Sequence, residues 1–217
     1  MDILNYITSG FKVFYDRTSD FLSYYMMSDN DIDNDNDSVN VNDNINDNKK
    51  NIKKRIFTKK PILEQIQTFF SEPTHIIDNI YLGSAFNASN YKSLKNNNIG
   101  LIINMTNEIS NYYSNEIKYK KYGLYDDNNQ DINIFFDNAY NDIITYQNTH
   151  PNKQILIHCF MGASRSATIL TLYIFKKHKK TINDSIIFIK NKRDIVNPTV
   201  LFYNQLLEYE YKSNHTL

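Results

Sequence analysis

The run Gln154-Ile155-Leu156-Ile157-His158-Cys159-Phe160-Met161-Gly162-Ala163-Ser164-Arg165-Ser166-Ala167-Thr168 constrains this chain more than any other. Its first half is apolar and β-branched, the pattern of a buried strand. Five residues then separate Cys159 from Arg165, and a second apolar run begins beyond it. The stretch therefore reads as strand, short loop and helix. In such a loop the backbone N–H groups, together with the unpaired donors at the start of the helix, can converge on one anion. Gly162 permits a positive φ or a close approach, and the guanidinium of Arg165 can fork two N–H bonds to a tetrahedral phosphate.

The same donors act on Cys159. Helix-terminal N–H groups and a neighbouring guanidinium favour thiolate over thiol, so the loop makes its own nucleophile. Ser166 stands where its hydroxyl can donate to the sulfur when a thiolate must leave. A buried structural cysteine explains Cys159 alone, and neither Gly162 nor Arg165.

Cys159-x5-Arg165, with the adjoining His158, Gly162 and Ser166, resembles the signature of the protein tyrosine phosphatase superfamily, and Ser164-Arg165-Ser166 is similar to its dual-specificity branch. Tyr81-Leu82-Gly83-Ser84 before a small helix over 85–97, and Pro198 with Phe202-x-x-Gln205-Leu206 near the end, resemble the same family's opening and last helix. Thr199 stands where the family usually has Asn. The resemblance covers roughly residues 56–212. It implies a metal-independent phosphoprotein phosphatase that needs no cofactor and hydrolyses phosphotyrosine and phosphoserine or phosphothreonine through a cysteinyl phosphate. Cys159 would be the nucleophile, Phe160, Met161, Gly162, Ala163, Ser164 and Arg165 the phosphate loop, Ser166 the aid to thiolate departure, and His158 a loop-ordering residue.

That chemistry also needs a proton donor for the leaving oxygen and a base for the attacking water. Asp126 and Asp127 follow the alternating segment Lys118–Tyr125, on a loop that suits a movable acid. In the family the acid precedes an aromatic pair by nine residues, and Asp126 has that spacing to Phe135-Phe136. Asp131 is placed to cap the helix expected over 132–146. His178, among lysines at a helix C-terminus, reads as a surface residue.

With 24 basic and 24 acidic residues, net charge gives no preference for nucleic acid or a membrane surface. One cysteine excludes an internal disulfide and thiolate-rich zinc sites, and leaves Cys159 no resolving partner in its own chain. No window reaches a membrane span, and the first residues lack the marks of a signal peptide. The expected location is the cytoplasm or nucleus.

Ile3, Ile7, Phe11, Phe14, Phe21, Leu22 and Tyr25 give residues 1–27 an amphipathic helical pattern. Three docking partners fit it: its own domain, a second copy of the chain as a homodimer, or a membrane surface, the last opposed by a polar face that is acidic as well as basic. Residues 28–55 read as a disordered Asp/Asn-rich linker with a basic end. Asp31, Asp33 and Asp35 begin like a calcium loop, but Asn36 and Asn42 occupy the positions that need Gly and Glu. The basic end, from Lys49 to Lys60, fits a nuclear address, a docking site for an acidic groove, or a solvated face.

The catalytic domain is expected over 56–212, with a tail at 213–217. Its strands would be two short ones in 75–84, a buried one over 99–105, 118–125 and 154–158. The fold class is α/β, a central, mostly parallel sheet flanked by helices. Two other activities remain open. A lipid phosphate or RNA 5′-triphosphate would call for basic residues at the loop's variable positions, where Phe160, Met161 and Ala163 are not basic. An inactive phosphoprotein-binding module would be expected to have lost the Cys, the Arg or the acid.

Overall fold

The strand Gln154–His158 is buried on both faces, which only a central parallel strand with helices on either side can be. The computed structural model describes residues 43–125 and 130–215. The expected helix over 1–27, residues 28–42 of the linker, and Asp126 with Asp127 lie outside the described residues. Within them, a five-stranded sheet has the order β1 (Thr74–Ile77), β2 (Ile80–Gly83), β5 (Gln154–His158), β3 (Ile99–Asn104), β4 (Lys118–Lys121). Only the β1–β2 pair is antiparallel.

Side-chain alternation divides the core. Ile155 and Ile157 of β5, with Leu101 and Ile103 of β3 and Ile80 and Leu82 of β2, face one layer of helices. That layer contains α5 (Phe136–Thr149), α6 (Arg165–His178), α7 (Ile182–Lys190) and α8 (Val200–His215). Leu156 and Ile102 point the other way, against Ala88 of α3 (Ala85–Ser89) and Leu94 of α4 (Tyr91–Asn96). The helix α6 is the innermost: every residue from Arg165 to Ile174 is buried.

Four boundaries differ from the sequence reading. The helix expected over 85–97 breaks at Asn90, whose side chain accepts from Ser93 N–H and starts a second helix. The strand expected over 118–125 stops at Lys121, because β3 ends at Asn104; Tyr122 N–H makes the last bond, to Asn104 O at 2.8 Å, and the chain then turns at Gly123. The helix expected over 132–146 opens as a 3-10 turn, Asn133–Phe135, and runs on to Thr149. The helix that the apolar spacing of Ile186, Ile187 and Ile189 predicts over 185–192 begins three residues earlier, at Ile182, because Thr181 accepts from Asp184 N–H and caps it.

The linker reading also needs correction. Asp43–Phe57 is a helix, α1, so the end of the 28–55 segment is not an unstructured tether. The reason is visible from residue 48 onward, in the unit that contains the sheet. Ile52 and Ile56 are one helical turn apart and both pack on the core, Ile56 completely. Lys190 Nζ caps the helix end, donating to Ile56 O at 2.7 Å and Thr58 O at 2.8 Å. Alternation of lysines with isolated isoleucines gave too thin a stripe to reveal this. α2 (Ile62–Phe70) follows and leads into β1.

Ile56→Ala is expected to cost about 2–5 kcal/mol in urea unfolding and to speed amide exchange across 48–57. An unchanged urea midpoint would mean that α1 adds nothing to the core.

Candidate active site

The loop between β5 and α6 hangs between two rigid elements. β5 is held on both sides, by β2 through Gly83 opposite His158 and by β3 through Asn104 opposite His158. Ser164 ends the loop at the first turn of α6, where Thr168 N–H and Oγ1 both donate to Ser164 O.

What shapes the loop is the fate of its carbonyls. Phe160 O accepts from Ala85 N–H at 2.8 Å, and Ala163 O from Asn197 N–H at 2.9 Å. Arg193 takes the two between: its Nη2 donates to Met161 O at 2.9 Å and its Nε to Gly162 O at 3.0 Å. Every carbonyl from 160 to 164 therefore has a donor outside the loop's concave face. In a planar trans peptide the C=O of one residue and the N–H of the next point in opposite directions. Fixing the carbonyls outward turns the amides of 161–165 inward, toward the space above Cys159. Gly162 completes the fit: φ is +73°, and a Cβ there would run into the Gly83 carbonyl.

Two donors already meet at the sulfur. Gly162 N–H lies 3.3 Å and Ser166 Oγ 3.2 Å from Cys159 Sγ, both hydrogen-bonded to it. Cys159 is 1% exposed and Ser166 fully buried. Sharing its helix turn with Ser166, Arg165 is 1% exposed and held in place: Nη1 donates to Glu108 Oε1 at 2.8 Å, to Oε2 at 3.1 Å and to Leu124 O at 3.0 Å. Glu108 rides on a braced loop. Asn104 Nδ2 donates to Ile109 O, Thr106 Oγ1 donates to Asn104 Oδ1, and Lys121 Nζ holds Asn107 O and Ile109 O.

His158 is fully buried, and burial pushes its imidazole down to about 4. It is therefore neutral at neutral pH. Nδ1 lies 3.2 Å from Cys159 O, a carbonyl that can only accept, so Nδ1 carries the proton and donates, and Nε2 is unprotonated. Arg193 has 1% exposure, and burial lowers it to about 10, still charged at neutral pH.

The structure thus brings His158, the loop 160–164, Cys159, Arg165 and Ser166 together. Asp126 lies outside the described residues, but both flanks of its segment are tied down. Tyr125 N–H donates to Gln130 Oε1; Gln205 accepts from Ile132 N–H at 2.9 Å and donates to Gln130 O at 3.2 Å. Asp131 accepts from Asn133 N–H, a local turn contact at the start of the 3-10 turn. His178 is elsewhere, 3.0 Å from Asp78 Oδ2. Thr199 still reaches the loop through its backbone, its N–H lying 3.4 Å from Ser164 Oγ, while its hydroxyl accepts from Phe202 N–H at the start of α8.

The sequence reading missed Arg193 altogether and gave Glu108 no role. A signal for Arg193 was present: Arg17, Arg55, Arg165 and Arg193 are the chain's only arginines, in a sequence that otherwise uses lysine for its fixed cations. An arginine kept against that habit marks a place where a planar fork is required. Glu108 carries no such mark; only the fold puts it opposite Arg165.

The sequence profile of the "Dual specificity phosphatase, catalytic domain" family matches residues 80–212. Protein phosphatase Slingshot homolog 1 of Mus musculus is 34% identical over 139 residues, which are 64% of this chain and 13% of that protein. Dual specificity protein phosphatase 1 of Homo sapiens is 31% identical over 138 residues, 64% of this chain and 37% of that one. The chain thus spans much less than two thirds of these curated relatives. The crystal structure of DUSP15 superposes with a TM-score of 0.62 at 28% identity, over 66% of this chain and 90% of the other.

Arg193→Met keeps the bulk and leaves two buried carbonyls without donors. It is expected to lower stability by about 1–3 kcal/mol per carbonyl in urea unfolding, and Arg193→Lys is expected to recover part of the loss. Equal stability of Met and wild type would mean that water replaces the guanidinium. For His158 the folded state binds its proton only near pH 4, whereas the unfolded chain binds it near pH 6.5. Its contribution is present above pH 6.5 and is lost as pH falls toward 4, on the order of 3 kcal/mol in all. Urea midpoints measured between pH 7 and 4 should fall less steeply in His158→Gln than in wild type; parallel curves would overturn the assignment.

Proposed function

The chain belongs to the dual specificity phosphatase catalytic-domain family, and on that premise we propose that it hydrolyses phosphotyrosine and phosphoserine or phosphothreonine in proteins through a cysteinyl-phosphate intermediate. The observation that carries the reading is the convergence on Cys159 Sγ of Gly162 N–H and Ser166 Oγ, beneath a loop whose carbonyls are all engaged elsewhere.

In the first step Cys159 Sγ forms a bond to phosphorus as the bond from phosphorus to the ester oxygen breaks. The electron pair passes to that oxygen, which takes a proton from Asp126. The inward amides and Arg165 hold the equatorial oxygens, whose charge they stabilise most in the transition state. The salt bridge to Glu108 fixes the plane of the guanidinium before substrate arrives, so little reorganisation is needed during reaction. In the second step Asp126, now ionised, accepts a proton from water as the water oxygen attacks phosphorus. The S–P bond breaks, and Ser166 Oγ–H steadies the departing thiolate at the distance seen here, 3.2 Å. Positive charge for the whole cycle comes from Arg165 and the loop, so no metal is called for.

A protein substrate is favoured over a lipid phosphate or RNA 5′-triphosphate by what rims the loop. Phe160 and Met161 are buried apolar residues. Tyr125, next to the Leu124 carbonyl that holds Arg165, is 52% exposed, and Val200, next to Thr199, is 62% exposed. Tyr125 and Val200 can receive apolar residues flanking a phosphorylated one better than they receive further phosphates, and Phe160 and Met161 put no basic side chain there to meet one. Cytoplasmic or nuclear location and a homodimer through residues 1–27 accompany this reading as proposals, to be tested by fractionation and by sedimentation with and without that segment.

Cys159→Ser is expected to abolish turnover of an aryl phosphate and of phosphopeptides. Asp126→Ala should lower kcat by about 10²–10⁴-fold and retain phosphoproteins for identification. Ser166→Ala should slow the second step alone, giving a burst of released phenol. Undiminished turnover by Cys159→Ser would falsify the covalent route. Faster release from phosphoinositide or triphosphorylated RNA than from phosphopeptide would move the substrate to those classes.

A further inference from the structure

At the opposite end of the sheet, where β3, β4 and β5 begin, lies a cavity of about 270 Å³. It is one β3 length from the cysteine: β3 is six residues long, from Ile99 to the Asn104 that neighbours His158, roughly 17–20 Å at about 3.3 Å per residue. Lys95, Lys118 and Lys153 line it. Among the described residues none of the three pairs with a carboxylate, whereas Lys60, Lys120, Lys176, Lys177 and Lys212 all do. The one carboxylate in the lining, Glu116, accepts a hydrogen bond from Tyr91 OH. Lys153 Nζ donates to the neutral Asn98 Oδ1 at 2.7 Å, so three ammonium groups are set against one carboxylate that is already hydrogen-bonded.

A second observation points to a ligand. Tyr146 is 7% exposed and lines the cavity, yet its hydroxyl has no hydrogen-bond partner among the described residues. It sits over Gly100, whose missing side chain is what leaves it room; a Cβ at that position would collide with the phenol oxygen. Most of the ring is buried while the hydroxyl oxygen opens into the cavity, and the ring's burial keeps that hydroxyl protonated by raising its pKa. It is a donor waiting for an acceptor. The ring of Tyr146 stacks on His150 at 4.4 Å, giving the cavity a flat wall, and Lys118 Nζ lies 3.3 Å from His150 Nε2.

We propose that this cavity is a phosphate-binding exosite, separate from the cysteine loop, that takes the dianion of a phosphate monoester. Lys118, Lys153 and Lys95 supply the charge, and Tyr146 OH a hydrogen bond from the cavity wall. Binding requires no cysteine chemistry, so the site stands or falls apart from the proposed hydrolysis. Its ligand comes either from a second phosphorylated residue of a protein substrate or from a free phosphate ester. The first source needs phosphates at least about six extended residues apart, given the span between the sites.

Titrating inorganic phosphate into ¹⁵N-labelled full-length protein at constant ionic strength is expected to shift the Gly100, Lys118 and Lys153 amides saturably. Lys118→Glu combined with Lys153→Glu, both exposed positions, should weaken that response at least about tenfold, a change of roughly 1.4 kcal/mol, and leave the response of Gly162 and Ala163 intact. Gly100→Ala should block it by displacing Tyr146. Equal shifts with chloride, or an unchanged response in the double lysine variant, would overturn the proposal. A doubly phosphorylated peptide with a lower KM than its singly phosphorylated form, in wild type but not in the lysine variant, assigns the site to substrate. Equal KM values with saturable binding of glucose 6-phosphate assign it to free esters.

Discussion

The outward capture of five loop carbonyls is the constraint on which the site depends. An anion cradle needs several amides aimed at one point, and amides in a flexible loop do not aim themselves. They are aimed by anchoring the opposite ends of their peptide planes, and here four of the anchors come from three distant parts of the chain, the start of α3, the arginine beyond α7 and the segment before α8, and the fifth from Thr168 in the first turn of α6. Arg193 carries two of them at once and, among the described residues, makes no salt bridge, its hydrogen bonds going to dipoles rather than to a carboxylate. Desolvating a guanidinium is expensive, and its several donors to backbone oxygen are what make the position tenable.

The charged half of the site obeys the same economy. Arg165 is also buried, but it meets Glu108 and the Leu124 carbonyl, and both lie on segments that continue from the ends of β3 and β4. The parallel sheet is therefore more than a scaffold: its carboxyl ends deliver the nucleophile from β5, the arginine's partner from the β3 loop and a fixing carbonyl from beyond β4. His158 contributes by staying neutral. A protonated imidazole beside Arg165 would add like charge in a dry interior, and burial keeps the proton off.

The two arginines share a lesson about legibility. Cys159, Gly162, Arg165 and Ser166 sit within a few residues of one another, so their joint purpose shows as a spacing. Glu108 and Arg193 reach the same point from 57 residues before Arg165 and 31 residues after Gly162. Nothing local distinguishes Glu108 from the chain's other acids. The cavity at the far end of the sheet is a stronger case: Tyr146, Gly100 and Lys118 belong to three elements, each of which reads alone as ordinary helix or strand.

By itself the sequence determined the strand, loop and helix that hold the nucleophile, because strand burial, a glycine turn and a helix start are consequences of neighbouring residues. It also determined the order of most elements and hence the α/β class. Only the tertiary structure decided that 43–57 is helical, where β4 stops, which donors capture the loop carbonyls and which acid orients Arg165. Those outcomes turn on burial and on partners distant along the chain: Ile56 is helical because a core receives it, and Lys121 is the last strand residue because β3 has no further residues to pair with. Local pattern fixes what a segment can become, and long-range packing selects where it ends and what it touches.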